Sequence, residues 1–261
     1  MDLTDFVDIL RIITMIFSTL PVLSMAGGIY VQSGASITLN NGTINLGCND
    51  AIIAGSLNLG AGAILNTRDF NISGGSVSAG SGQVQFAGDW GNGGSFTPGT
   101  SQVTMQDGCS KTTTAVTGDT DFYAFTATSD TAKTLQFAAG STQLFSDSLT
   151  LQGVIGNLLL IRSSIPGSQA FFYLDPNATQ NIFTVDVRDN NASGGQWVAI
   201  GDATDFDSVD SGNNINWFLG GLEFAPVPTL SSWALILLTM TMMTFVFRHR
   251  RRLHHSGEGI Q

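Results

Sequence analysis

Between residues 55 and 105 a short pattern returns every 19 or 20 residues. Gly55-Ser56-Leu57, Gly75-Ser76-Val77 and Gly94-Ser95-Phe96 open three units. In each, a second glycine follows five positions on (Gly60, Gly80, Gly99) and a β-branched residue nine positions on (Ile64, Val84, Val103). Asp69-Phe70 and Asp89-Trp90 fill a further column, in which Gly108-Cys109 is placed as the next member. A degenerate earlier copy starts at Gly42-Thr43-Ile44, with Gly47 as its second glycine. Self-similarity at a fixed period marks a stack of units, each burying its apolar face against its neighbours.

Inside the units the residues alternate: Ser56-Leu57-Asn58-Leu59, Gln83-Val84-Gln85-Phe86, Gln102-Val103-Thr104-Met105. Period two puts Leu, Val, Phe and Met on one face of a strand and Ser, Asn, Gln and Thr on the other. Glycines at fixed offsets supply positive φ where the chain turns a corner. The expected fold is therefore all-β, a right-handed parallel β-helix (solenoid) whose rungs stack at ~4.8 Å. A β-sandwich is the alternative, since it is also built from short strands between glycine-rich turns, but it has no need of a period. The second half is less regular, with strand-like pieces such as Thr134–Phe137, Leu149–Leu151, Leu158–Leu160 and Phe183–Val187.

Composition narrows the function classes. With 43% hydrophobic and only 11% charged residues the chain is not disordered. Its 31 glycines lack the three-residue period of collagen. A formal net charge of −10 argues against nucleic acid as a partner, because no basic excess is present to neutralise phosphates.

The ends read as targeting segments. Residues 1–26 carry an apolar run, Ile9 to Met25, that ends in Ser24-Met25-Ala26. Small residues at −3 and −1 suit signal peptidase, with cleavage after Ala26, although Asp2, Asp5 and Asp8 outnumber Arg11 in the leading part. Near the other end, Leu230 to Phe247 is uncharged, and Arg248, Arg250, Arg251 and Arg252 follow as a basic stop-transfer group. As a helix this run spans about 27 Å at ~1.5 Å per residue, close to a hydrocarbon core of ~30 Å. The arginines would lie in the cytoplasm and everything before Leu230 outside. The expected organisation is a signal peptide at 1–26 and solenoid repeats at 27–182. A capping module at 183–225, a sorting signal at 226–252 with its transmembrane helix at 230–247, and a cytoplasmic tail at 253–261 complete it.

Just before the apolar run stand Val227, Pro228, Thr229, Leu230, Ser231 and Trp233. Motif, apolar run and arginine cluster, in that order over Val227 to Arg252, resemble the IPTL-CTERM sorting signal of Gram-negative bacteria. Val227 stands where isoleucine is usual. The resemblance implies export, an inner-membrane-anchored precursor, and processing by an exosortase-type membrane transpeptidase. The final location would be the cell surface or the extracellular space. Pro226 and Pro228 fit this by keeping the segment extended and poor in backbone donors, so that a protease can reach it. The stretch Val185 to Gly195 with Asp210 to Trp217 is similar to a module that closes many bacterial surface repeat proteins, and would act as a cap over the last open strand edge.

Little in the exported part points to chemistry. All three histidines (His249, His254, His255) lie in the tail, which removes histidine-based triads and zinc ligation from the ectodomain. Residues 27–226 hold 16 acidic and 5 basic side chains. Asp69 and Asp89 stack in one column, either as an acid/base or calcium pair or as ordinary turn residues. Asp202, Asp205, Asp207 and Asp210 form a second, weak calcium candidate, matching no known calcium-loop pattern. No other cofactor is expected. Cys48 and Cys109 meet an oxidising compartment after export. The register puts them about three rungs (~14 Å) apart, beyond the ~7 Å Cα reach of a disulfide, which favours free or core-packed cysteines and leaves a bridge open.

The expected role is a non-enzymatic, structural or adhesive surface or matrix protein, with extracellular polysaccharide as a candidate partner. A polysaccharide lyase or hydrolase using aspartates on the same scaffold is the alternative. Ice binding through a threonine lattice is a third reading, which the irregular threonine spacing argues against.

Overall fold

The computed structural model describes residues 23–24, 27–218 and 236–246, and every structural statement below concerns these. The chain divides into two units, residues 1–220 and 221–261, each treated by itself.

The first unit is an all-β parallel solenoid of about eight turns. Each early rung contributes one short strand to each of three faces. The first face stacks nine parallel strands from Ile29–Val31 to Val209–Asp210, and the second stacks four, Ser36–Thr38, Ser56–Asn58, Ser76–Ser78 and Ser95–Thr97. The third face holds ten, beginning with Leu23–Ser24 and Thr43–Asn45. The sequence period is the rung. Ser56 pairs with Ser76 and Ser76 with Ser95, while Ile64, Val84 and Val103 fall in one inward column. Leu57, Val77 and Phe96 are buried, each between an outward serine and an outward polar residue (Asn58, Ser78, Thr97), as the alternation requires.

The glycine column has a steric cause. Gly60, Gly80 and Gly99 turn the corner with φ of 59°, 57° and 57°. A Cβ on Gly80 would lie 2.3 Å from the Gly60 carbonyl oxygen, and one on Gly99 the same distance from that of Gly80. Stacked at rung spacing, these corners have room only for hydrogen. The first copy of the repeat is phased differently from the sequence expectation. Ser36 pairs with Ser56, and Asn40, at φ 54°, occupies the glycine position. Thr43 pairs instead with Ala63, so Gly42-Thr43-Ile44 belongs to the third face.

After Ser95–Thr97 the second face ends, and the chain runs through that corner as long strands, Thr120–Thr128 and Thr142–Gln152. The core also changes along the stack. The first two rungs are filled by Leu39, Leu46, Ile53, Leu57 and Leu59, whereas a chain of aromatic rings runs from the third rung on. Phe70, Trp90, Phe122, Phe145, Phe172 and Trp217 follow one another with ring centroids 5.0, 5.3, 5.9, 5.1 and 5.8 Å apart. The solenoid strands continue through Val185–Arg188, which pairs with Leu159–Arg162, into the region expected to cap the rod. At the other end Leu23 and Ser24 pair with Ile44 and Asn45. Cleavage after Ala26 would remove that strand. The rest of the expected leader, residues 1–22 and 25–26, lies outside the described residues.

In the second unit, residues 236–246 are helical. The apolar side chains of Leu237, Met240, Met242, Met243 and Phe245 are exposed. The Thr239, Thr241 and Thr244 hydroxyls each donate to the carbonyl three residues earlier, of Ile236, Leu238 and Thr241. Among the described residues no helix is long and apolar enough to cross a membrane. The expected transmembrane helix 230–247 is thus described over 236–246 alone, too short a stretch to span by itself.

Candidate functional site: an acidic corner under a crossing loop

The corner from the third face to the next first-face strand gathers five charged side chains, Asp50, Arg68, Asp69, Asp89 and Lys111. Asp69 and Asp89 do stack there, and Asp50 joins them one rung earlier. Each carboxylate accepts the backbone N–H of the following rung: Asp50 Oδ1 from Asp69 (3.2 Å), Asp69 Oδ1 from Asp89 (2.8 Å), Asp89 Oδ1 from Ala115 (2.8 Å). At this corner the side chain supplies the acceptor that strand pairing supplies on the faces.

Two cations balance the column. Arg68 pairs with Asp50, its Nε 2.8 Å from Oδ1, and lies 3.4 Å from Asp69 Oδ2. Lys111 Nζ sits 3.1 Å from Asp69 Oδ1 and 3.2 Å from Asp89 Oδ2. Burial pushes the Asp50 carboxyl up, but the Arg68 and Asp69 hydrogen bonds and the charges of Arg68 and Lys111 outweigh it and hold it below its usual value. Burial likewise lowers Lys111, and its bonds to Asp69 and Asp89 outweigh that and raise it. The carboxylates thus bind backbone and cation together, which is the chemistry of a charge-balanced turn. Asp50 escaped the sequence reading because its partner in the aromatic column is the small Ala51, paired with Phe70. The signal was Asp50-Ala51, 19 residues before Asp69-Phe70.

Cys48 and Cys109 form a disulfide across this corner, with Cα atoms 5.3 Å apart. The register estimate of three rungs fails because Cys109 is not in the aromatic column. Trp90 pairs with Val116, and residues 106–112 are a long insertion where the preceding rung needs only 87–89. The inserted loop runs back along the corner, past Asp89 and Asp69, to reach Cys48.

One buried charge was invisible in the sequence. Lys133 is fully buried, and its ammonium donates to the backbone carbonyls of Ala87 and, at 3.1 Å, Gln106, on the two preceding rungs. Burial pushes its pKa down.

The second aspartate group does not converge. Asp202 and Asp207 cap the two ends of the 3-10 turn Ala203–Phe206, and Asp205 Oδ2 accepts the Asp202 N–H at 3.1 Å. Asp210 Oδ1 accepts from Gly212 N–H (2.8 Å) and Asn214 Nδ2 (2.6 Å). Among the described residues no three acidic, histidine or cysteine groups gather where a metal could be held. Here these aspartates shape turns.

Elsewhere, the corner between the first and second faces forms an open trough of about 580 Å³ over four rungs, lined by small residues at 34–36, 54–56, 74–76 and 93–95. It bears no charged group.

The expected sorting residues Val227, Pro228, Thr229, Leu230, Ser231 and Trp233, and the arginines 248 and 250–252, lie outside the described residues. Their assignment rests on comparison: residues 225–252 match the IPTL-CTERM motif. No curated protein and no solved structure matches the chain.

Proposed function

We propose that this chain is an exported bacterial surface or extracellular-matrix protein, a non-enzymatic β-solenoid sorted by an exosortase-type enzyme through its C-terminal segment. The IPTL-CTERM match at residues 225–252, directly after the solenoid, carries the reading. In it the run Leu230–Phe247 is the transient membrane anchor of the precursor. The helical residues 236–246 support that role, because each threonine hydroxyl is satisfied within the helix and the outer surface left is apolar all round. The structural role is supported by the acidic corner, whose carboxylate oxygens are committed to backbone and cations. Extracellular polysaccharide is the environment we infer for the rod, whose sheet faces present hydroxyl and amide side chains.

The test is intact-mass spectrometry of the protein recovered from the cell surface. Sorting predicts a species that ends before Trp233. Recovery of a surface species that retains Trp233 to Arg252 would overturn the reading and leave a permanently anchored protein.

A further inference from the structure

The loop that crosses the acidic corner is held in an unusual way. Gly108, Cys109 and Ser110 are three consecutive residues with positive φ (142°, 50° and 56°), and Cys48 opposite them is a fourth at 67°. For residues with a side chain this conformation costs energy, so something must hold it. Residues 108–111 are tied to the rest of the chain by the Cys48–Cys109 bond and by the Lys111 ion pairs with Asp69 and Asp89. Their one backbone hydrogen bond is internal, Lys111 N–H to Gly108 C=O at 3.1 Å. On both sides the chain is anchored independently. Gln106 N–H bonds Phe86 C=O at 3.0 Å, and Thr112 C=O accepts Thr134 N–H at 2.9 Å. The ion pairs are partly exposed, with Lys111 at 29% and Asp89 at 45%, and such pairs are worth little in water. Cys48 is exposed and Cys109 half-buried, so the disulfide is within reach of a soluble reductant.

We propose that residues 108–111 form an oxidation-operated clasp. With the disulfide closed, the loop lays Lys111 across Asp69 and Asp89. With it open, the loop leaves the corner, its left-handed residues relax, and the strands on either side stay stacked. Closing is thiol–disulfide exchange with an oxidised dithiol donor. The Cys48 thiolate attacks the donor's disulfide, and Cys109 then displaces the donor from the mixed disulfide. Two electrons and two protons pass from the cysteine pair to the donor, which leaves as a dithiol. This mechanism goes beyond the sorting role and does not depend on it. Export bears only on where the donor is met.

Limited trypsin digestion of the full chain in detergent, with and without dithiothreitol, tests the clasp. Dithiothreitol runs the exchange backwards and closes to its own cyclic disulfide. Reduction is expected to speed cleavage after Lys111 by about tenfold or more, as for a locally opened segment, while cleavage at Arg162 and Arg188 stays unchanged. The double variant Cys48→Ser/Cys109→Ser must behave like the reduced protein without any reductant. An unchanged rate at Lys111 after reduction would show that the loop holds itself. Simultaneous cleavage at all sites would show that the bond secures the whole fold. Either result overturns the clasp.

Discussion

The first four rungs and the rungs after residue 113 solve the same stacking problem in different ways. In the early rungs every corner is a tight turn, so each rung takes 19 or 20 residues: Ile44, Ile64, Val84 and Val103 are successive partners. In the later rungs the strand bends through one corner and the loops vary. Val103 pairs with Phe125, Phe125 with Leu149, and Leu149 with Gln180. The early cross-section is fixed by backbone contacts at glycine, and its first two rungs are filled by aliphatic side chains. The later one is filled by large rings, which tolerate an uneven outline because each ring reaches its neighbour across a gap that a methyl group could not close. Regularity in this solenoid belongs to corners without side chains, and continuity belongs to the aromatic spine.

That contrast makes Trp90 the residue on which the two regions depend. Its ring stands against Phe70, Phe86, Phe96 and Phe122, and its Nε1 donates to Thr120 Oγ1 at 3.2 Å where the second face ends. Trp90→Ala is expected to cost about 3–5 kcal/mol. Denaturant unfolding followed at once by far-ultraviolet circular dichroism and near-ultraviolet signals should then split into two transitions, as the rungs before and after residue 95 uncouple. A single transition with unchanged midpoint would mean that the aromatic spine does not join them.

Lys133 is the second link across the same junction, where Ser101, Thr114, Thr120 and Gln143 are also buried. Lys133→Met keeps the bulk and removes the ammonium, leaving the Ala87 and Gln106 carbonyls without that donor. The expected loss is about 3 kcal/mol, the scale of two unsatisfied buried acceptors. The pH dependence gives a second readout. Burial lowers the folded pKa of Lys133 from 10.5, so between that lowered value and 10.5 the unfolded chain binds more protons. This group's contribution therefore makes stability rise with pH through that window. Melting curves toward pH 10 should show the rise in the natural protein and lack it in Lys133→Met.

The same contrast explains what the sequence could reveal. The fold class was legible because Gly55, Gly75 and Gly94 repeat under a backbone constraint that leaves no room for a side chain, and Asp69 over Asp89 was legible because each carboxylate accepts the backbone N–H of the next rung. Val116 was not, because the insertion at 106–112 shifted the count by seven residues and put Cys109 in its place. With that shift went the disulfide, since the register placed the cysteines three rungs apart and could not show a loop doubling back. Lys133 gave no sign of burial, because a lysine between strands looks like a solvated corner. The sorting segment was legible by its order of motif, apolar run and arginines, which needs no fold at all.

Glycine corners allow the contrast to be broken at one atom. A Cβ on Gly75, in the early region, would lie 2.4 Å from the Gly55 carbonyl oxygen and 2.6 Å from that of Ile53. A Cβ on Gly140, in the later region, meets nothing within 4 Å, although its φ is +80°. Gly75→Ala must displace backbone on a neighbouring rung and is expected to cost about 2–3 kcal/mol. Gly140→Ala carries only the left-handed strain, about 1 kcal/mol. Equal losses in urea denaturation would contradict the claim that close backbone stacking sets the early period.

The smallest effect expected is acid sensitivity, and its salt dependence separates the two regions. Burial raises both Asp50 and Asp189, yet each is held below the ordinary value of 3.8 by stronger opposing contacts. A carboxylate with a depressed folded pKa contributes stability that is present above the unfolded value and lost as pH falls through the folded one. Both regions should therefore weaken below about pH 3.8. For Asp50 the opposing contacts are led by the Arg68 guanidinium, half exposed to solvent, with Lys111 adding its charge. For Asp189 they are led by Asn213 Nδ2 at 2.7 Å and Gly167 N–H at 3.1 Å, around a carboxylate that is 4% exposed. Salt at ~1 M shrinks the Debye length to ~3 Å and screens exposed charges far more than buried hydrogen bonds. Hydrogen exchange at pH 3 to 5 should show high salt suppressing the acid response of amides beside Asp50, such as Asp69 N–H, while leaving that of Gly167 N–H in place. If salt suppresses both equally, the later corner is held by charge as the early one is, and the two regions share one electrostatic design.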